Sequence, residues 1–452
     1  MRVWFYDYKS GLNFQGMGRA SPPWDDDSRF ALEHGMGERI HMRILHTADW
    51  HFGRSLEGRS RLEEQAAFVD ELAALVKDEG IDLVLLAGDV YDSVNPPAAA
   101  EGLFYEAVSR LADGGQRTIA VIAGNHDHPD RVSASAPLAA RSGIRLVGMP
   151  TDRPIVVDVP RTGEQAVIAA LPYPSESRLR ELLSEATDEG QLRSAYSERV
   201  GRLMKQLGTA FRGDTVNLAM SHIYVLGGLE TDSERPIQIG GAYTVDPSAL
   251  QIGAQYVALG HLHRPQRVAG DETMRYSGSP LAYSFSEAGQ AKAVTVFEAE
   301  PGKLVLPREI PLSAGRPLVS WNAKGGLAEV YGWLEEGRDA RSWIDLSIHM
   351  SEAMTLQHIQ QLRRQHEGLV HIRPVYPEME AMVELDARAR EQLPAEELFR
   401  RFFSRQTGGG EPDAETVQLF LELIAEDEEN EAPTAAMDNE NDGEIQAGGE
   451  SA

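Results

Sequence analysis

Seven side chains suited to binding metal fall into five short motifs spread over more than two hundred residues. The motifs are Asp49-Trp50-His51, Gly88-Asp89, Gly124-Asn125-His126-Asp127, Ser221-His222 and Gly260-His261-Leu262-His263. On an extended segment residues i and i+2 point to the same side, so Asp49 and His51 can reach one ion, and His261 and His263 repeat the spacing. Asp89 has two carboxylate oxygens and can bridge neighbouring cations; Asn125 offers a neutral oxygen and His222 a further imidazole. A donor set of oxygen and nitrogen alone favours Mn, Fe or Zn and disfavours soft metals. Two such ions about 3.5–4 Å apart can activate a water, clamp a phosphate and stabilise its leaving oxygen. The chemistry implied is hydrolysis of phosphate esters.

His126 adjoins Asn125 and is expected beside a bound phosphate rather than beneath the metals. An imidazole with an ordinary pKa near 6.5 can donate a proton to a leaving alkoxide. Asp127 is better suited to orienting His126 or its loop than to binding metal. Each piece alone has a plainer explanation: Asp89, Asn125 and Asp127 all suit turns, and Asp-x-His pairs arise by chance. The ordered series carries the inference. His46 reads as a packed or supporting histidine, and His128, His349, His358, His366 and His371 as surface or packing residues.

These motifs need elements to hold them. From Met42 apolar strands and amphipathic helices alternate, which indicates an α/β domain with helices flanking the sheet. Ser60 and Glu63 predict a capping box for a helix with the stripe Leu62, Ala66, Val69, Leu72 and Val76, ending at Gly80. Residues 82–87 and 118–123 read as buried strands, and Pro96-Pro97 opens a helix reaching Leu111. Each motif follows closely on a strand, where α/β proteins place their chemistry. Past Gln290 the motifs stop, and strands at 293–297 and 343–348 with helices at 327–334 and 355–364 suggest a smaller α/β module. Two amphipathic helices follow, at 394–403 and 415–424.

The boundaries expected are a disordered leader at 1–41, a catalytic domain at 42–290, a smaller module at 291–385, a helical segment at 386–425 and a disordered acidic tail at 426–452. A length of 452 residues fits two or three domains. With 42% apolar and 25% charged residues the chain can bury a sizeable core. There is no cysteine, which excludes disulfides, thiolate metal sites and a thiol nucleophile. No run approaches the roughly 20 apolar residues of a membrane span, so a cytoplasmic protein without membrane contact is expected. The net charge of −27 argues against coating nucleic acid. Ten of the acidic residues, however, lie in the tail from Ala425 to Ala452, and a cleft can be locally basic on an acidic body.

The five motifs resemble the calcineurin-like metallophosphoesterase superfamily. That resemblance implies a four-layer sandwich, two β-sheets flanked by helices, with a smaller α/β capping domain and C-terminal helices. It places Asp49, His51, Asp89 and His263 around one ion and Asp89, Asn125, His222 and His261 around the other, and His126 matches the family's catalytic histidine; Asp127 is grouped with it in the catalytic set as the residue that orients it. Further segments resemble the bacterial SbcD nuclease subunits: 46–53, Gly88-Asp89-Val90-Tyr91-Asp92 with Pro96-Pro97, Ser233-Glu234-Arg235-Pro236, 258–266, and Tyr276 to Leu281 running into Ser284-Phe285-Ser286-Glu287. His128 departs from that pattern, which has a small residue there.

This second resemblance implies metal-dependent cleavage of DNA, as a 3'-5' exonuclease on duplex ends and an endonuclease on single strands and hairpins. Mn is the favoured ion, with Mg, Fe or Zn as alternatives. It also implies a homodimer within a heterotetramer with an SbcC-type ATPase, acting in repair and recombination. The absence of a Gly-x-x-x-x-Gly-Lys-Ser/Thr loop fits a chain that binds no nucleotide itself. The late helices, bearing Leu398, Phe399, Phe402 and Phe403 and then Val417, Leu419, Phe420, Leu423 and Ile424, dock on that partner or pack on their own module. Arg54, Arg59 and Arg61 are candidate contacts to DNA phosphates. The helix after Pro97 and residues 132–140 are candidate dimer faces. A small-molecule phosphodiesterase or phosphatase, or a metal-stabilised scaffold, are the competing readings.

Overall fold

In the computed structural model, residues 41–179, 189–234, 243–376, 394–406 and 412–421 are described. The leader apart from His41, residues 377–385 of the small module, Leu423, Ile424 and the acidic tail lie outside them. In chain order the strands of the first half are β1 (Met42–Thr47), β2 (Ser55–Leu56), β3 (Arg59–Ser60), β4 (Leu83–Ala87), β5 (Thr118–Ile122), β6 (Ile144–Val147), β7 (Ile155–Val159) and β8 (Glu164–Leu171). There follow β9 (Val216–His222), β10 (Tyr256–Gly260), β11 (Gln266–Val268), β12 (Asp271–Tyr276), β13 (Ala293–Ala299) and β14 (Arg308–Pro311). The last three are β15 (Leu318–Ala323), β16 (Trp343–His349) and β17 (Leu369–Val375).

Two six-stranded sheets form, ordered β14-β13-β1-β4-β5-β6 and β11-β12-β10-β9-β8-β7. Within each, the four strands β1-β4-β5-β6 and β12-β10-β9-β8 run parallel, and antiparallel strands close the edges. The continuous apolar run of β4 reflects cover on both faces. Leu83, Leu85 and Ala87 meet the opposite sheet through Ile168, Leu218, Met220 and Tyr256. Val84 and Leu86 face the helices Leu62–Asp78 and Ala98–Ala112, with Phe68, Leu72 and Phe104. The outer face of the second sheet is covered by the helix Glu189–Gly208 through Tyr196, Val200 and Met204. The layering is helix, sheet, sheet, helix, and each fully buried large apolar side chain contributes about 1.5–3 kcal/mol.

One local expectation fails. The helix Leu62–Asp78 begins without the Ser60–Glu63 capping box: Arg61 occupies the N-cap with no side-chain cap, and Ser60 Oγ only accepts the Leu62 N–H at 3.3 Å. A capping box does form elsewhere, between Ser284 and Glu287 around the turn Phe285–Glu287.

The remaining strands make a three-stranded sheet, β15-β16-β17, and a two-stranded ribbon, β2-β3. The chain divides into two compact units. The first holds the described residues through Asn322 with Tyr331–Ser347 and Gln357–Ile372, and the second holds Ala323–Val330, Ile348–Leu356 and the described residues from Arg373 onward. In the second unit the helix Ala395–Gln406 and the helical residues 414–421 meet through Phe399, stacked on Phe420 at 4.2 Å, while Phe402 and Leu419 stay exposed. No helix among the described residues is long and apolar enough to cross a membrane.

Candidate metal centre

All seven side chains stand at the ends of central strands. Asp49 and His51 follow β1, Asp89 follows β4, and Asn125 follows β5; His222 closes β9, and His261 and His263 follow β10. The backbone reason differs from the one expected. Asp49 (φ 55°), His51 (φ 46°), Asp89 (φ 47°) and His261 (φ 108°) all occupy positive φ, so the i, i+2 pairs converge through left-handed kinks and not through an extended segment. Such conformations cost on the order of 1–3 kcal/mol each and gather where geometry matters more than stability. The kinks are pinned by the Asp49 N–H donating to Gly88 O and the His51 N–H to Asp89 O, both at 3.0 Å.

Close approach also demands a glycine. A Cβ on Gly124 would lie 2.1 Å from Asp89 Oδ1 and 2.3 Å from Asp89 N. Gly124→Ala should therefore lower thermal stability by about 1–3 kcal/mol, the usual cost of overpacking, read as a fall in the unfolding midpoint. An unchanged midpoint would show that the loop has room.

The donor atoms converge in three overlapping groups, each within 4.8 Å: Asp49, His51 and His263; Asp49, Asp89 and His222; and His51, Asp89 and His126. His51 Nε2 and His263 Nε2 face each other at 2.9 Å. Asp89 Oδ2 lies 3.4 Å from His222 Nε2 and 3.6 Å from His51 Nε2, between the two halves. His222 Nε2 faces Asn125 Oδ1 at 2.8 Å, while its Nδ1 reaches the Ala87 carbonyl at 2.9 Å. His261 Nε2 is buried with no hydrogen-bond partner, its ring 5.6 Å from that of His222. Ring nitrogens facing one another, and a buried one left without a partner, are costly in a dry interior. A cation accepting their lone pairs satisfies them, so the residues fit divalent metal.

Electrostatics divide the donors. Burial holds His51 and His261 well below the ordinary imidazole range, and lowers His263, so these rings are neutral and ready to ligate at neutral pH. His222 behaves oppositely: burial lowers it, but the Asp89 carboxylate, its hydrogen bond and Asp49 together raise it to about 9. Burial likewise pushes Asp49 well above the usual carboxylate range. Asp89 resists the same burial because His222, His126 and His51 surround it, and it stays well below.

His126 sits at the edge of this cluster. Its Nδ1 faces the Asp92 carbonyl at 2.7 Å, its N–H donates to Asp89 Oδ1 at 2.9 Å, and its Nε2 lies 4.0 Å from Asp89 Oδ2. Asp127 is fully buried and accepts the N–H groups of Gly124 (2.8 Å), Tyr91 (3.0 Å) and Val90 (3.1 Å), tying the His126 loop to the Asp89 loop. His46 is buried with Nδ1 3.0 Å from Tyr256 Oη, and His128 is exposed beside the helix Pro129–Ser133.

The three candidate arginines separate. Arg61 is buried, grips Glu64 with Nε (2.5 Å) and Nη2 (2.8 Å), and gives Nη1 to Ala282 O. Arg59 spends both terminal nitrogens on the carbonyls of Glu367 and Leu369. Buried Arg61 cannot reach a phosphate, which corrects that expectation, whereas Arg59 is partly exposed and keeps its place as a candidate contact. Arg54 remains at the site: Nη2 donates to Ser233 O at 2.7 Å, and Nη1 has no hydrogen-bond partner, 3.7 Å from Asp92 Oδ1.

Sequence reasoning missed the residues that hold the candidate ligands. Gln65 Nε2 donates to the His51 carbonyl at 2.9 Å, and Tyr283 Oη donates to the Trp50 carbonyl. Ser233 Oγ lies 2.6 Å from His263 Nδ1, and Lys292 donates to the His263 carbonyl at 2.8 Å. Ser233 and the Ser284–Glu287 segment stood out as motif residues without a stated chemistry; nothing marked Gln65 or Lys292.

Fold and site together define a metallophosphoesterase, and residues 42–265 match the calcineurin-like phosphoesterase family model. Residues 314–407 match a model described as the type 5 capsule protein repressor C-terminal domain, SbcD_C. The D subunit of the SbcCD nuclease from Bacillus subtilis is 54% identical over 392 residues, spanning 86% of this chain and 100% of the relative. Its counterpart from Rhodobacter capsulatus is 36% identical over 301 residues, spanning 63% and 72%. The chain belongs to the SbcD family of nuclease subunits, metal-dependent hydrolases of phosphodiester bonds.

Proposed function

We propose that this chain cleaves DNA as the nuclease subunit of a complex with an SbcC-type ATPase in the cytoplasm, trimming duplex ends 3'-5' and opening single strands and hairpins in repair and recombination. The names of the two relatives support the partner and the substrate class. The single observation carrying the chemistry is that Asp89 belongs to two overlapping donor groups, one with Asp49 and His222 and one with His51 and His126.

In this reading Asp49, His51, Asp89 and His263 would hold one divalent ion and Asp89, Asn125, His222 and His261 the other; the mixed nitrogen and oxygen donors suit Mn, Fe or Zn, and the resemblance to SbcD nucleases favours Mn among them. Such a pair supplies Lewis acidity toward phosphate oxygens and a more acidic water. His126 gives the proton at Nε2 to the leaving oxygen, its Nδ1 held by the Asp92 carbonyl so that the ring keeps one orientation. Asp127 acts through the loop it clamps. Arg54 contacts a DNA phosphate from the rim. Two copies pair within a heterotetramer, and Tyr105 and Leu138 are exposed on the candidate dimer faces. Exposed Phe402 and Leu419 suit docking on the ATPase.

Purified protein should be incubated with Mn and end-labelled hairpin DNA beside bis-nitrophenyl phosphate, with and without the ATPase. Cleavage of the hairpin supports the reading. Turnover of the generic diester with DNA untouched, even with partner and ATP, would replace it with a small-molecule phosphodiesterase.

A further inference from the structure

Three charged or polar groups lie buried behind His263 without touching any position assigned to substrate. Lys292 Nζ donates to the His263 carbonyl at 2.8 Å, to Ser279 Oγ at 3.1 Å and to the Glu287 carboxylate. Glu287, only 1% exposed, accepts the N–H groups of Tyr283 (2.8 Å) and Ser284 (3.0 Å) through Oε1. That oxygen also lies 4.0 Å from His263 Nδ1. The Ser279 N–H donates to the same His263 carbonyl at 3.1 Å.

The segment these groups fix reaches across to the other end of the chain. Tyr283 Oη donates to the Trp50 carbonyl, immediately before His51, and its ring packs 5.5 Å from His51 and 6.0 Å from His263. Gln65 Nε2 spans the His51 carbonyl at 2.9 Å and Tyr283 Oη at 3.4 Å. The Asn125 and His222 side has its own supports, none of which touches the Lys292–Glu287 pair: Asp127 takes the Gly124 N–H at 2.8 Å, Arg178 donates to the Gly124 and Asp127 carbonyls at 2.8 and 2.6 Å, and the Ala87 carbonyl holds the His222 ring.

We infer that the buried Lys292–Glu287 pair is a positioning device for one half of the metal centre. It sets how tightly the ion held by His51 and His263 binds, and leaves the ion held by Asn125 and His222 largely alone. A buried ion pair is poor evidence of stability, since packed apolar groups often serve as well. Its presence here is accounted for by the carbonyl and the loop that its two ends fix. Partners outside the ligand shell typically change metal affinity by about 10–100-fold when removed.

The inference rests on the dinuclear reading, so the experiment must separate the two. Full-length wild-type, Glu287→Gln/Lys292→Met and Tyr283→Phe proteins would be titrated with Mn²⁺ by calorimetry and electron paramagnetic resonance, with thermal unfolding followed in chelator. The double variant leaves no unpaired buried charge, and Tyr283→Phe keeps the ring while removing one hydroxyl. The expected result is two ions per wild-type chain, with one of them bound about 10–100-fold more weakly in either variant. The spin-coupled pair then gives way to a mononuclear signal at limiting Mn²⁺. Two ions of unchanged affinity in both variants, or equal weakening of both ions, would overturn the inference while leaving the dinuclear reading intact. Fewer than two ions in wild type would overturn both.

Discussion

Asp89→Asn is expected to reduce DNA cleavage by roughly a thousandfold and to abolish binding of a cation pair. Asparagine is nearly isosteric and keeps an oxygen for the His126 N–H, so the Asp127-clamped loop should persist. What disappears is the charge between the two halves, where Oδ2 stands 3.4 Å from His222 Nε2 and 3.6 Å from His51 Nε2. A unit charge pair near 4 Å contributes about 4 kcal/mol at an effective dielectric near 20. Each 1.36 kcal/mol is tenfold in rate. Initial rates on hairpin DNA, with metal content measured on the same samples, check this. Wild-type rates with one ion or none would show that Asp89 does not bridge.

His126→Ala should behave differently. Both ions remain, because no ligand is lost, but DNA cleavage falls by about 10²–10⁴-fold, the usual contribution of a positioned proton donor. A nitrophenyl diester tests the role itself, since nitrophenolate leaves without a proton. Its hydrolysis should fall far less than that of DNA. Equal losses on both substrates would assign His126 to phosphate binding, and unchanged turnover would remove it from the reaction.

The candidate ligands could be picked out in the sequence because chemistry restricts residue type: Asp, Asn and His at strand ends have few other reasons to recur in that order. The layers were legible too, since the helices at Leu62–Asp78 and Ala98–Ala112 carry strong periodicity and strands β4 and β5 are continuous apolar runs. Backbone conformation was not readable. The positive φ of Asp49, His51 and His261 comes from long-range constraint, such as the His261 N–H donating to Asp49 Oδ1 at 3.0 Å across the two sheets. The fate of Arg61 was hidden for the same reason. An arginine near a ligand motif looks like a phosphate contact until Glu64 and Ala282 are brought beside it. Lys292 and Gln65 act through backbone carbonyls, and a carbonyl leaves no mark on sequence.

Anomalous diffraction at the Mn edge from crystals grown with Mn²⁺ tests most directly whether the seven side chains seat a pair of cations. Two peaks about 3.5–4 Å apart, with Asp89 between them and His261 Nε2 on the Asn125 and His222 side, are the predicted result. A single peak, or a pair lying away from Asp89, would contradict it.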